Sequence, residues 1–214
     1  MTTLPWGRPL TREDLDRVPW IGTDVELVDG SAVLTRERAP FTSEDRERLP
    51  EDGRRHELIG GALVMTPAPA PRHQFVSGNL FRVLDRACPD ALAVLYAPVD
   101  VILAAGTVVE PDLLVAPRAA FSATNLPVPP LLAVEVLSPS TRRLDLGRKR
   151  DAYEQARVAA YWVIDPDNGE FIAWQFEDGC FAEVARIGPG DAWSAEVPFP
   201  VTVRPADLIE PGTI

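Results

Sequence analysis

The sequence is poor in the side chains that build metal-held or disulfide-linked small folds. It contains two cysteines, Cys88 and Cys180, and two histidines among 214 residues. Neither cysteine has a cysteine or histidine near it at the spacing of a zinc site, and the pair cannot form the disulfide framework of a small secreted domain. We therefore expect neither a zinc knuckle nor a disulfide fold, and both cysteines are interpreted as small apolar fillers.

Long apolar runs are also missing. The chain has no stretch of about 18 uninterrupted apolar residues, which a membrane-spanning helix would need. Its first residues lack a basic segment followed by an apolar one, as in a signal peptide. We expect a cytoplasmic protein with no membrane span. Its 46% hydrophobic and 25% charged residues are ordinary for one globular core with additions.

Lysine is the rarest basic residue, since twenty arginines accompany the single Lys149. The net charge of −11 argues against a protein that coats nucleic acid, because such binding replaces phosphate counterions with basic side chains. Residues 142–150 are an exception, with five positive charges and one negative. This basic strip suits local contact with phosphates, although a solvated helix start is equally common for such a run.

An internal repeat aligns residues 10–40 with residues 41–71 at a spacing of 31, without a gap and with thirteen identities. Each copy predicts a threonine-capped short helix, a turn, and two short strands joined by an Asp-Gly or Gly-Gly turn. Two copies are too few for a solenoid. We interpret residues 1–40 as a partial duplication of the 41–71 element.

Hydrophobic periodicity predicts alternating helices and strands after the repeat. Helices are predicted at 73–87 and 144–157. Strands are predicted at 93–96, 99–104, 113–116, 131–137, 161–164, 171–176 and 181–186. This order predicts an α/β fold, a mixed β-sheet flanked by helices, over residues 41–190, followed by a C-terminal extension at 191–214.

Two acidic residues interrupt otherwise apolar strands. Glu135 is the one polar residue within 131–137, and Asp112 directly precedes the apolar run 113–116. Such strands are usually buried on both faces, where a carboxylate must be paired, protonated or bound to a metal. Two carboxylates on neighbouring strands make a natural ligand pair for Mg²⁺. For each carboxylate alone, a salt bridge to an arginine explains the burial equally well.

Lys149 lies on the apolar face of the second predicted helix, at helical spacing from Leu146, Tyr153 and Ala156. It should therefore point at the sheet. A chain that uses arginine at every other basic position has kept a lysine here, which indicates a need for a compact ammonium. The alternative is a lysine whose stem covers apolar surface while its charge reaches solvent.

Six segments occur in an order typical of one family. They are HELIGG at 56–61, PRHQ at 71–74, VEPDLLV at 109–115, VEVLSPST at 134–141, DLGRK at 145–149 and YWVIDP at 161–166. Together they resemble the Uma family of bacterial "putative restriction endonucleases", over about residues 41–176. The resemblance implies a restriction-endonuclease-like fold of the PD-(D/E)xK superfamily and a metal-dependent endonuclease activity.

The resemblance also implies roles for individual residues. Asp112 matches the PD aspartate, Glu135 the second acidic metal ligand, and Glu57 an additional acid on the first conserved element. The usual lysine two residues after the glutamate is absent, because Leu137 stands there, and Lys149 matches a lysine moved to the following helix. The implied catalytic set is Glu57, Asp112, Glu135 and Lys149, with Mg²⁺ or Mn²⁺ held by Asp112 and Glu135.

The expected partner is nucleic acid, with DNA as the substrate. Arg142, Arg143 and Arg148 would contact flanking phosphates, which fixes position without reading sequence. A homodimer would be the simple way to cut both strands of a duplex. Two alternatives stay open, namely a non-catalytic regulatory or binding module on the same fold, which the net charge favours, and an RNA-directed nuclease.

Three polar residues receive no catalytic role. His73 lies on the apolar stripe of the first long helix and is interpreted as a core residue rather than a ligand or base. His56 should face away from Glu57, because neighbours on a strand point to opposite faces. Glu26, the repeat counterpart of Glu57, has no companion acids, so the first copy is predicted to be dispensable for the chemistry.

Overall fold

The computed structural model describes residues 8–16, 23–36, 39–49 and 54–209. Its helices are α1 Arg12–Asp16, α2 Ser43–Glu47, α3 Pro71–Ala87, α4 Arg142–Leu144, α5 Arg150–Gln155 and α6 Pro205–Ile209, with a 3₁₀ turn at Arg118–Ala120 and a π turn at Asp145–Lys149. Its strands are β1 Asp24–Val28, β2 Ser31–Thr35, β3 Arg55–Ile59, β4 Ala62–Thr66, β5 Leu92–Tyr96, β6 Val101–Ala104, β7 Thr107–Val109, β8 Leu113–Pro117, β9 Leu132–Val136, β10 Ala160–Ile164, β11 Phe171–Glu177, β12 Cys180–Ile187, β13 Trp193–Ala195 and β14 Val201–Val203.

These elements form a mixed α/β fold, as the sequence predicts. The described residues build two six-stranded sheets, in the orders β1-β2-β4-β3-β7-β6 and β12-β11-β10-β9-β8-β5, and one two-stranded sheet. A single sheet was expected, and the additional sheet arises because β1, β2, β3 and β4 pair with one another and with β7. Within the described ranges, none of the helices is both long and apolar enough to cross a membrane.

The two repeat copies fold alike, and every helix and strand of the first copy starts 31 residues before its counterpart. In both copies the hairpin turn accepts a hydrogen bond from the residue two positions before the short helix. Leu10 N–H donates to the Gly30 carbonyl at 2.7 Å, and Phe41 N–H donates to the Gly61 carbonyl at 2.8 Å. The sequence repeat is therefore also a structural repeat.

Glycine is needed at the second turn position of both copies. Gly30 has φ +99° and Gly61 has φ +77°, a region that side chains with a Cβ avoid. A Cβ at Gly30 would also lie 2.5 Å from the Cβ of Pro9, and a Cβ at Gly61 would lie 2.3 Å from the Cβ of Pro40. The close approach of Pro9 to Gly30, and of Pro40 to Gly61, explains why both copies have glycine at this turn position.

The copies join through antiparallel pairing of β2 with β4, with Val33 opposite Val64. These valines are repeat counterparts, so a local two-fold axis passes between them. Val33 of β2 is also paired with Glu26 of β1, and Val64 of β4 is paired with Glu57 of β3. Directly opposed residues share a sheet face, so the two glutamates lie on the same face, on opposite sides of the axis.

The second sheet is buried on both faces, which explains its apolar strands. One face packs with the first sheet and with the helical segment 142–155 around Val33, Val64 and Leu144. The other face packs against α3 and the C-terminal elements. Residues 191–209 contribute Phe199 and Leu208 to that core, so this predicted extension packs as part of the folded body.

The helix predicted at 144–157 is observed as α4, the π turn and α5 in direct succession. A π turn holds more residues than an α turn and changes which side chains share the inner face. Tyr161 Oη donates to the Asp145 carbonyl at 2.9 Å inside this turn. Asp145 and Lys149 are both buried as a result, at 1% and 2% exposure.

Candidate functional site

A cavity of about 470 Å³ opens between the two large sheets and the helical segment 142–155. All four predicted catalytic residues line it: Glu57 on β3, Asp112 before β8, Glu135 on β9 and Lys149 at the end of the π turn. Each of them is at most 4% exposed. The fold therefore gathers side chains from three separate strands and one helix around one space.

The Lys149 ammonium is surrounded by carboxylates. Its Nζ lies 3.0 Å from Glu57 Oε1, 3.1 Å from Glu135 Oε1 and 3.6 Å from Asp145 Oδ1. Burial alone would lower the pKa of Lys149, but these carboxylates outweigh it and raise the pKa above its usual value. Lys149 therefore remains a cation in a closed acidic environment.

Asp112 is held by three donors. Arg55 Nη2 donates to Oδ1 at 2.9 Å, Val136 N–H donates to Oδ2 at 2.8 Å, and His73 Nε2 lies 2.9 Å from Oδ2. Burial favours the protonated acid, but His73 and Arg55 outweigh it and hold the pKa of Asp112 well below its ordinary value. His73 is buried as the apolar stripe predicts, yet it also contacts this acid.

Four carboxylates share the cavity with the basic side chains of Lys149, Arg55, Arg8 and His73. Burial, followed by the charges of its acidic neighbours, raises the pKa of Glu135 well above its ordinary value despite Lys149. Burial likewise raises the pKa of Asp145 to about 6. Two buried oxygens, Glu57 Oε2 and Asp145 Oδ1, have no hydrogen-bond partner among the described residues. Such orphaned carboxylate oxygens are costly unless a cation or a proton reaches them.

This donor set fits a hard divalent cation in chemistry, because every candidate ligand atom is a carboxylate oxygen. The present arrangement is nevertheless closed. Among the residues that the structure describes, no group of three or more His, Cys, Asp or Glu is placed to hold a metal ion. Lys149 stands between Glu57 and Glu135, and Arg55 engages Asp112. A metal would therefore have to displace the ammonium from its central position.

The three arginines predicted to contact phosphates lie at the surface. Each is at least 43% exposed and each has an acidic partner. The pairs are Arg142 with Asp165, Arg143 with Asp29 at 2.9 Å, and Arg148 with Glu26 at 3.7 Å. The Arg148–Glu26 pair is exposed on both sides and therefore weak, so a phosphate can compete for that guanidinium, whereas Asp165, the partner of Arg142, is only 5% exposed.

Sequence reasoning missed three site residues, although each had a signal. Asp145 stands four residues before Lys149 and Tyr153 four residues after it, which is helical spacing. Tyr153 Oη donates to Glu135 Oε1 at 2.9 Å. Arg55 stands two residues before Glu57, so the strand period places both on one face.

Comparison with solved structures identifies the fold. The chain is similar to the crystal structure titled "a putative nuclease belonging to DUF820 from Anabaena variabilis", with a TM-score of 0.63 and 17% sequence identity. The match covers 79% of this chain and 98% of that chain. At this identity the likeness concerns the fold alone. No curated protein matches the sequence.

Comparison with family models confirms the resemblance seen in the motifs. The Uma2 model, described as "Putative restriction endonuclease", matches residues 43–207. The match includes all four cavity residues and starts after the first repeat copy. It spans well over half of the sequence, and the chain therefore belongs to the Uma2 family.

Proposed function

We propose that the protein is a divalent-metal-dependent endonuclease that hydrolyses phosphodiester bonds of DNA. Membership of a restriction-endonuclease family supports a nuclease. The observation that carries the proposal is the buried cluster of Glu57, Asp112, Glu135 and Asp145 around Lys149 in one cavity. Two of its buried carboxylate oxygens lack a hydrogen-bond partner among the described residues, and a divalent cation would supply a partner for them.

Asp112 and Glu135 are the proposed metal ligands, and Glu57 supports the same cation. All-oxygen ligation of this kind suits Mg²⁺ or Mn²⁺. When bound, the metal supplies polarisation of the phosphate and a lowered pKa of a water. Arg55 and His73 hold Asp112 in place through its two oxygens, and a bound cation would take over the contact that Arg55 now makes.

Lys149 and Tyr153 complete the proposed chemistry. The Lys149 ammonium is placed to orient the attacking water and to stabilise negative charge that develops on the phosphate oxygens. Tyr153 donates to Glu135 Oε1 and so fixes the rotation of that carboxylate. The proposal requires the ammonium to exchange one of its carboxylate contacts for substrate.

The proposed DNA-binding surface is the start of the same helical segment. Arg142, Arg143 and Arg148 would exchange their acidic partners for phosphates on either side of the cleaved bond. These contacts fix the position of the backbone and read no bases. Two copies of the chain, each acting on one strand, would cut a duplex.

A non-catalytic nucleic-acid-binding module is the second candidate, and one observation favours it. The Lys149 ammonium lies within 3.6 Å of three carboxylates, so its charge is already compensated. No metal-ready group of ligands exists among the described residues. With Lys149 held by these carboxylates, the protein could bind nucleic acid through its surface arginines without catalysing cleavage.

The test is incubation with plasmid, linear duplex, single-stranded DNA and RNA in Mg²⁺, Mn²⁺ and EDTA. The nuclease proposal expects cleavage of DNA with either metal and none in EDTA. Asp112→Asn, which retains the side-chain shape, is the matched inactive control. Metal-independent binding of DNA by folded protein, with no cleavage of any substrate, would establish the binding module instead.

A further inference from the structure

The hairpin turn of the first repeat copy contacts the start of the helical segment that carries Lys149. Ser31 Oγ donates to the Ser140 carbonyl at 2.6 Å, and both residues are buried. Asp29 accepts from Arg143 Nε at 2.9 Å and lies 3.4 Å from the Arg143 backbone N–H. These contacts join parts of the chain more than a hundred residues apart.

The two contacting residues are places where the copies differ. The repeat counterparts of Asp29 and Ser31 are Gly60 and Ala62, which have no polar side chain. The surrounding turn is otherwise alike, since the following Gly30 and Gly61 have the same backbone role. The first copy therefore carries two polar groups at its turn that the second copy lacks, and both point to one segment.

Asp29 acts as a helix cap supplied from another element. Thr141, the residue at the N-cap of α4, makes no side-chain capping hydrogen bond. The first backbone N–H groups of a helix lack internal partners, and negative charge near them is favourable. Asp29 places a carboxylate beside the Arg143 N–H and also binds the Arg143 guanidinium.

Apolar packing also holds the start of this helical segment. Leu144 is 2% exposed and belongs to one core cluster with Val28 and Val33 of the first copy. Arg148, one residue before Lys149, reaches Glu26 of β1 at 3.7 Å. The first copy thus contacts the segment at its start and next to Lys149, and it shares a core cluster with Leu144.

We propose that the first repeat copy is a clamp for the helical segment, and that Asp29 and Ser31 are positioning residues for Lys149. This proposal differs from the sequence-based expectation that the first copy is dispensable for the chemistry. The clamp sets the start of α4, and the π turn then directs the ammonium to Glu57 and Glu135. Its catalytic consequence rests on the proposed nuclease function. Its structural consequence, an ordered 140–149 segment, does not.

The experiment exchanges the two residues for those of the second copy. Asp29→Gly with Ser31→Ala keeps a turn sequence that the same protein already folds at Gly60 and Ala62. Asp24→Asn is the control, since it removes one negative charge from the same hairpin at an exposed site. Asp29→Asn is the conservative variant, because asparagine keeps an acceptor and tolerates the positive φ of 53°.

Two readouts are measured on the full chain. Hydrogen exchange of the backbone amides at 140–149 should become about tenfold faster or more in the double variant and stay at the wild-type rate in the control. The turnover number on the best DNA substrate should fall about tenfold to a hundredfold, with little change in KM, because misplacement of a catalytic group affects the transition state most. Asp29→Asn should recover part of both losses.

Unchanged exchange at 140–149 in the double variant would overturn the clamp. So would tighter DNA binding with unchanged turnover, because the hairpin would then only screen Arg143. If the double variant does not fold, Ser31→Ala alone is compared by the same two measurements. If the wild type cleaves no substrate, the nuclease proposal fails, and the exchange rates alone decide the clamp.

Discussion

Replacing Lys149 with methionine removes the one cation that the three carboxylates Glu57, Glu135 and Asp145 share. Methionine has nearly the same length and volume, so the change is chiefly one of charge. Removing one partner of a buried ion pair costs about 3–5 kcal/mol, because the remaining charge stays buried without compensation. Lys149 is 2% exposed and its contacts are at 3.0–3.6 Å, so this range applies.

Proton uptake offsets part of that cost. The pKa of Asp145 is already raised by burial to about 6. With Lys149 present, protonating this group at pH 7 costs about 1.4 kcal/mol, the equivalent of one pKa unit, and the cost is smaller in Lys149→Met because the ammonium lowers the pKa of Asp145. We expect Lys149→Met to lower the free energy of unfolding by about 3 kcal/mol at pH 7.

The pH dependence of the loss has a definite sign. The pKa of the Asp145 carboxyl is raised on folding from its ordinary value of 3.8, so the folded state favours the protonated acid. The free-energy cost of burying this group therefore grows as the pH rises from 3.8 towards the pKa in the folded protein. The loss caused by Lys149→Met should therefore be smaller at pH 5.5 than at pH 7. Urea unfolding followed by tryptophan fluorescence measures both values, since Trp162 is fully buried.

Arg148→Met is the matched control, because it removes the neighbouring cation from an exposed pair and should cost less than about 1 kcal/mol. Mg²⁺ should restore more stability to Lys149→Met than to the wild type, because the ammonium no longer competes for the carboxylates. Equal unfolding free energies for Lys149→Met and the wild type at pH 7 would refute the counter-ion role of Lys149.

Further substitutions separate the roles of the other site residues. Lys149→Arg keeps the charge but not the compact ammonium, so single-turnover cleavage should slow by about 10²-fold or more while Mg²⁺ binding changes little. Glu135→Ala should weaken Mg²⁺ binding itself, as measured by titration calorimetry, because it deletes a proposed ligand. Tyr153→Phe removes only the hydroxyl that orients Glu135 and should weaken Mg²⁺ binding by about tenfold in the same titration. Gly61→Ala should lower the melting temperature, because φ is +77° and the new Cβ would meet Pro40.

Each expectation has an opposite result that would count against it. Wild-type cleavage by Lys149→Arg would make Lys149 a packing residue. Unchanged Mg²⁺ affinity in Glu135→Ala or in Tyr153→Phe would remove Glu135 from the ligand set or Tyr153 from its support. A melting temperature of Gly61→Ala equal to that of the wild type would show that the turn yields without strain.

The site residues that the sequence predicts are those that stand out in the hydrophobic pattern of a single strand or helix. Glu135 is the single polar side chain in an apolar strand, and a carboxylate there has to find a partner. Lys149 shares a helical face with Tyr153, so its inward direction follows from spacing. Both are buried in the structure, as those patterns indicate.

Other parts have no such signal because they depend on long-range pairing. The alternation of strands does not state which strands are neighbours, so the sequence does not reveal that the strands of the repeat join β6 and β7 in a separate sheet. A π turn breaks the 3.6-residue period, and nothing in the hydrophobic pattern states that such a turn interrupts the helix at 145–149. The contact between Ser31 and Ser140 joins two polar residues that periodicity alone assigns to loops or strand ends.

The local two-fold pairing of β2 with β4 also decides where the first sheet ends. β4 is buried along its whole length, and an apolar strand with a free edge would present unpaired backbone groups to other chains. The duplicated hairpin covers that edge and leaves β1 as the terminal strand. β1 exposes Asp24 and Glu26, and charged side chains on an edge strand disfavour the addition of a further strand. Because of the duplication, the edge strand of the first sheet is the charged β1 and not the apolar β4. This arrangement protects the protein from edge-to-edge aggregation.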